Sequence, residues 1–298
     1  MTRTSRSPVP RTPGEMLAMA RAFLERKQIE EARLEAELLV AHALATDRLG
    51  LFMQLDRPLD GADVDAARDL LVRRGRREPV AYITGRREFY GRSFEVGPGV
   101  LIPRSETELL VDLARERCPD PAGRRAADLG CGSGCIAVTL ALELPGLVVG
   151  AFDSSEEALA CTRRNAECLG AELTLTGGDG LAGLEAAVVA DGPFDLLLSN
   201  PPYVRPEERG SLAPEVRDYE PDEALFAPAG DPDRWVRELV VRARSLVCFG
   251  GVVLVELGVG QGPRAVALAA EAGLGATLHR DLAGIERVLE VEVEQPSP

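Results

Sequence analysis

Histidine and tryptophan are almost missing from this chain of 298 residues, which has only His42, His279 and Trp235. Two histidines far apart in sequence leave too few ligands for a zinc site, so no metal is expected. Aromatic residues make up only 4% of the chain, so Leu, Val and Ala must fill the core. No apolar run approaches the roughly 20 residues that would span a bilayer, and no membrane partner is expected. The cysteines Cys118, Cys131, Cys135, Cys161, Cys168 and Cys248 form no C-x-x-C pair. They read as the reduced thiols of a cytoplasmic protein, not as a disulfide framework.

Positive charge is also in short supply. Lys and Arg number 34 against 48 Asp and Glu, for a net charge of −14. Long-range attraction to a nucleic-acid backbone is therefore weak, and no stable nucleic-acid partner is expected. The local exception is an arginine cluster: Arg73, Arg74, Arg76 and Arg77, followed by Arg86 and Arg87. The stretch 1–11 is rich in Ser, Arg and Pro without an apolar segment, which predicts a disordered tail and not a signal peptide.

Hydrophobic residues at 45% and charged residues at 28% suit a globular protein. The length suits one larger domain and a smaller one. Residues 12–78 read as a small helical bundle. Thr12-Pro13 supplies an N-cap and a first-turn proline, and helices follow over roughly 29–46 and after Asp60-Gly61. Residues 79–104 read as a β-hairpin linker, with Val80 to Thr84 as its first β-prone arm. A helix should follow, with Ser105 and Glu108 spaced as a capping box. From Arg125 onward, strands alternate with helices such as Glu156 to Leu169. The near-continuous apolar strands predict a parallel sheet buried on both faces. Two final strands, near 276–279 and 287–293, complete an α/β domain over 105–298.

In an open α/β sheet, ligands bind beyond the carboxyl ends of the strands. Gly130, Asp153, Asp179 and Asn200 all follow predicted strands. Asp128-Leu-Gly130-Cys131-Gly132-Ser133-Gly134 is a candidate cofactor loop, because glycines let the backbone approach a ligand that a Cβ would block. Its G-x-G-x-G spacing differs from both the dinucleotide fingerprint and the P-loop. Asp153 can accept hydrogen bonds from both hydroxyls of a ribose, although an N-capping role is also open to it. Asp179-Gly180 could border an adenine amino group, or be an ordinary turn.

The most informative motif is Asn200-Pro201-Pro202-Tyr203, directly after an apolar strand. Two prolines stiffen the loop and remove two backbone donors. The Asn200 side-chain oxygen and the Pro201 carbonyl can then accept both hydrogens of one NH2 group. That aims the nitrogen lone pair at an in-line methyl donor, and Tyr203 can pack on a flat substrate.

On these motifs, and on Glu78 to Gly85 and Leu101 to Glu108, the chain resembles the HemK/PrmC family of peptide chain release factor glutamine N5-methyltransferases. The resemblance implies a seven-stranded, Rossmann-like class I methyltransferase sheet with a helical substrate-recognition domain and a hairpin linker. It implies S-adenosyl-L-methionine as cofactor, bound by Asp128, Gly130 to Gly134, Asp153, Asp179, Gly180 and Asn200. It also implies a substrate amide held by Asn200 and Pro201, with Pro202 and Tyr203 completing the pocket. The substrate would be the glutamine of the Gly-Gly-Gln motif in class-one release factors. Ser105 stands where the family usually has proline, and Gly180 where an aromatic residue can occur. The rival reading is an amino-methyltransferase acting on adenine or guanine in nucleic acid, favoured by the arginine cluster and opposed by the net charge. A monomer is expected.

Overall fold

The computed structural model describes residues 9–294; residues 1–8, most of the expected tail, and 295–298 lie outside it. Among the described residues the chain divides into two compact units, one of residues up to Gly85 and 214–219 and the other of residues 86–213 and from Glu220 onward.

The first unit contains α1 (Pro13–Arg26), α2 (Ala32–Ala43), α3 (Arg48–Phe52), α4 (Gly61–Gly75), α5 (Val80–Thr84) and, much later in the chain, α10 (Pro214–Arg217). Thr12 caps α1 through its hydroxyl, which accepts from the Glu15 amide at 3.2 Å. Asp60 and Asp63 close a reciprocal capping box at the start of α4. Leu24, Leu39, Leu51 and Ala67 are fully buried where these helices pack. The expected strand at 80–84 is instead the helix α5. Pro79 sets its N-terminal boundary, and Gly85, in the left-handed region at φ 73°, ends it. Burial of Ile83 and partial burial of Val80 in the helical core override the β-propensity of the segment.

Three arginines of the cluster, Arg73, Arg74 and Arg77, are paired with carboxylates of this unit. Arg73 pairs with Glu78, and Arg77 with Glu215. Arg74, only 2% exposed, pairs with Glu35 at 2.5 Å and with Glu215 at 2.9 Å.

The second unit opens with the hairpin β1 (Arg86–Phe89) and β2 (Arg92–Glu95). Its two-residue turn puts Tyr90 and Gly91 at φ 51° and 69°, the twist a tight hairpin needs. The main elements then follow as α6 (Glu108–Arg117), β3 (Arg125–Leu129), α7 (Cys135–Glu143), β4 (Val148–Asp153), α8 (Glu156–Leu169), β5 (Thr174–Gly177), α9 (Gly180–Asp191) and β6 (Phe194–Ser199). After them come α11 (Asp222–Leu225), α12 (Arg234–Leu246), β7 (Val247–Glu256), α13 (Gly262–Glu271), β8 (Ala276–Arg280) and β9 (Glu286–Glu292). The expected capping box at Ser105 does not form. Residues 105–107 make a 3₁₀ turn, and the Ser105 hydroxyl donates to Glu106 at 3.1 Å, so α6 starts one turn later.

The sheet has seven strands in the order β5-β4-β3-β6-β7-β9-β8. The first five pair in parallel and β9 runs antiparallel to both its neighbours. Alternate residues feed opposite faces, as the period of two requires. Leu196, Leu198, Val252 and Leu254 pack on one side; Leu197, Val253 and Val255 pack on the other. The strand order reverses at β3 and β6, which opens a crevice between their carboxyl ends. Among the described residues, no helix is long and apolar enough to cross a membrane.

Arg74 is a buried cation answered by two carboxylates; removing it strands Glu35 and leaves Glu215 with only the longer Arg77 pair. Arg74→Ala should cost about 3–5 kcal/mol. The loss would be seen as faster amide hydrogen exchange in α2 and α4, with the sheet amides of the second unit unchanged.

Candidate active site

A cavity of about 360 Å³ lies at the switch point of the sheet. Its wall includes Gly130 and Gly132 after β3, Asp153 at the end of β4, Asp179 and Gly180 after β5, and Asn200, Pro201 and Pro202 after β6. Segments from four strand ends thus face one space. Leu129, Leu181 and Trp235 add apolar wall, and Gly99 to Leu101 close another side. The latter segment is fixed by the buried Glu220, which accepts from the Ile102 amide at 3.0 Å and from Arg104 at 2.6 Å.

The glycine loop owes its path to left-handed backbone at alternate positions. Gly130, Gly132 and Gly134 have φ of 77°, 56° and 80°, a region other residues enter only at a cost. A Cβ added at Gly130 or Gly132 would meet no protein atom within 4 Å. The alternation also explains which predicted residues leave the cavity. Cys131 and Ser133 point into the core. There Cys131 lies 3.3 Å from the Thr162 hydroxyl, and the Ser133 carbonyl accepts from Asn165. Gly134 faces Thr162, whose Cγ2 would lie 2.7 Å from an added Cβ.

Asp128 is also off the cavity wall. It is fully buried, and its Oδ2 accepts from the Ala137 amide at 3.1 Å, which ties β3 to the first turn of α7. Its Oδ1 has no partner within the protein. Burial pushes its carboxyl up to about 7, against the pull of the Ala137 amide.

Asp153 keeps its place on the wall. Its two oxygens accept from the Gly132 and Ser155 amides, both at 2.9 Å, which fixes the plane of the carboxylate. The cap of α8 is Ser155, whose hydroxyl accepts from the Ala158 amide, so Asp153 is left for the cavity. Asp179 lines the cavity and also caps α9 by accepting from Leu181.

Tyr203 does not line the cavity. Its ring packs behind the loop against Gly258, where an added Cβ would come within 2.8 Å of the ring. Burial holds its phenol up at about 12. The ring packs against the loop that follows β7.

Asn200 has a partner that the motif alone did not disclose. Its Nδ2 donates to the Thr107 hydroxyl at 3.2 Å, and that hydroxyl donates to Glu256 at 2.7 Å. Thr107 and Glu256 are both buried. A visible signal existed for Glu256: it is the one charged residue in the apolar run Val252 to Leu257. The lone Trp235, which does line the cavity, was missed as well. Among the described residues, no group of three His, Cys, Asp or Glu side chains could hold a metal ion.

Comparison with known proteins agrees with this architecture. The PrmC N-terminal domain family matches residues 15–85, and the Methyltransferase small domain family matches residues 105–215. A release factor glutamine methyltransferase of Geobacter sulfurreducens is 41% identical over 92% of this chain and 94% of its own. A protein of the same name from Chlorobaculum tepidum is 44% identical over 82% of this chain and 84% of its own. Among solved structures, a methyltransferase from Pyrococcus furiosus superposes with a TM-score of 0.50 at 18% identity, covering 70% of this chain and 91% of that one. The hMettl16 catalytic domain, solved with an RNA hairpin, superposes at 0.52 with 16% identity, over 77% of this chain and 84% of that one. At such identities these two speak to the fold alone.

Because the folded Asp128 holds its proton more tightly than the unfolded one, its contribution to stability is present at low pH and is lost as pH rises from about 4 through about 7. Asp128→Asn cannot ionise. Its melting temperature relative to the wild type should therefore shift in the variant's favour between about pH 5 and about pH 8. A difference independent of pH would show that Asp128 ionises normally.

Proposed function

Since the chain belongs to the release factor glutamine methyltransferase family, we propose that it methylates the glutamine side-chain amide in the Gly-Gly-Gln motif of class-one peptide chain release factors, with S-adenosyl-L-methionine as donor. The observation that carries this reading is the shared cavity of the glycine loop, Asp153 and the Asn200-Pro201-Pro202 segment. Donor and acceptor sites must open on one space for a methyl group to pass directly between them.

The residues present suit the cofactor. Gly130 and Gly132 leave ledge space that side chains would fill. Asp153, held by two amides, keeps lone pairs for a ribose diol. Leu129, Leu181 and Trp235 offer apolar surface to a flat base. When bound, S-adenosylmethionine supplies a methyl group on a positively charged sulfur.

The protein's own work is then to hold an amide. Asn200 Oδ1 and the Pro201 carbonyl accept its two hydrogens, and Pro201 and Pro202 bring no N–H to compete. Holding both hydrogens moves electron density onto the nitrogen and fixes its lone pair. Much of the rate comes from this positioning, without a strong base. The helical residues 12–78 would recognise the release factor. The same reading gives a cytoplasmic monomer with no stable nucleic-acid or membrane partner.

The nucleic-acid rival loses part of its support, because Arg73, Arg74 and Arg77 already pair with carboxylates of their own unit. Mass spectrometry of a release factor after incubation with the protein and cofactor should show one added methylene on the Gly-Gly-Gln peptide; an unmodified peptide would reject the substrate. Asn200→Ala should lower kcat by about 10²–10³-fold, the loss typical of one preorganised polar contact in an active site. Its cofactor affinity by calorimetry should hardly change. Asp153→Ala should weaken cofactor binding about tenfold or more, and an unaltered Kd would remove the ribose role.

A further inference from the structure

The amide of Asn200 is useful in only one of its two orientations. Its oxygen must face the substrate NH2, yet oxygen and nitrogen ends have nearly the same shape. Something has to choose between them. The choice can be read from the buried groups behind the loop. Thr107, in the turn before α6, has a single hydroxyl proton and gives it to Glu256 Oε2 at 2.7 Å. What Thr107 then offers Asn200 is a lone pair, and only the NH2 end of the amide can use it, at 3.2 Å. Thr107 and Glu256 are each only 2% exposed, so solvent does not readily replace either partner.

We infer that Glu256 and Thr107 form a positioning relay that sets the orientation of the Asn200 amide and so presents its oxygen to the substrate. The inference rests on the amide-methylating reading above and adds two residues to it, neither of which touches the substrate. The relay has a direction. Were Glu256 to carry a proton on Oε2, it would donate to Thr107. The Thr107 proton would turn to the Asn200 oxygen, and the amide would show its NH2 end to the substrate.

Glu256 is poised for that change. Burial raises its carboxyl to about 7, with Glu106 acting in the same sense and the Thr107 hydrogen bond, Arg287 and Arg104 opposing. Tyr203 and Cys135, both held protonated by burial, are the other titratable groups that feel its charge. Methyl transfer should therefore rise with pH as Glu256 loses its proton.

The test compares Thr107→Val, which keeps the shape and removes the hydroxyl, with Thr107→Ser, which keeps the hydroxyl. Thr107→Val should lower kcat about tenfold, with KM for the release factor and Kd for the cofactor little changed. Thr107→Ser should recover most of that rate. In the full-length protein without substrate, the side-chain amide resonances of Asn200 should shift and lose protection from exchange in Thr107→Val. A wild-type kcat, or unaltered Asn200 resonances, would overturn the relay. So would equal damage in Thr107→Ser. Should Thr107→Val fail to fold, Glu256→Gln decides. Its kcat should lack the rise between about pH 6 and about pH 8 that the wild type shows, and an unchanged pH profile would overturn the relay. If the wild type leaves the release factor unmodified, the substrate reading fails by itself; the Asn200 resonances still decide the relay.

Discussion

Parallel pairing of β3 with β4 on one side and β6 on the other is the constraint on which the rest depends. The register aligns Leu129 with both Phe152 and Ser199. The three strands therefore end level, and the segments that follow them emerge side by side. Apolar residues on both faces of the sheet make that register hard to slip, since a shift of one residue would turn buried side chains outward. The chemistry needs groups from distant parts of the chain held together, and the hydrophobic core does the holding.

Within that frame, the loop residues divide their labour by side. In the glycine loop, Gly130 and Gly132 line the cavity, whereas Cys131, Ser133 and Gly134 meet the core. The Asn-Pro-Pro segment has a comparable back. Tyr203 lies against Gly258, and Thr107 and Glu256 sit behind Asn200. A precise polar site of this kind needs a rigid shell around the groups that meet the substrate. Here the shell is drawn from β7, from the turn before α6, and from the loop after β7.

Much of this was legible in the sequence, and the failures have physical causes. The strand ends at Gly130, Asp153 and Asn200 were readable because apolar runs stop there at residues whose chemistry suits a crevice. The Val80 to Thr84 segment misled because β-branched residues can line a helical core when Pro79 and Gly85 delimit the turn. Ser105 misled because a capping-box spacing says nothing about a competing hydroxyl–carboxylate contact with Glu106. Asp128, Cys131, Ser133 and Tyr203 sit inside recognisable motifs but are not part of the cavity wall. A motif fixes the path of the backbone, not the side to which each residue turns. Thr107 and Glu256 were beyond reach as a pair, since 149 positions separate them.

The first unit is not one continuous stretch of chain. Its residues 214–219 arrive after the strand and loop that carry Asn200, and they bring Glu215 to Arg74 and the Tyr219 hydroxyl to the Arg76 carbonyl. A fragment cut at Gly85 would therefore lack these fastenings and leave the buried Arg74 with Glu35 as its carboxylate partner. Interchanging this helical module between related enzymes would mean carrying over a short piece from the middle of the catalytic unit as well.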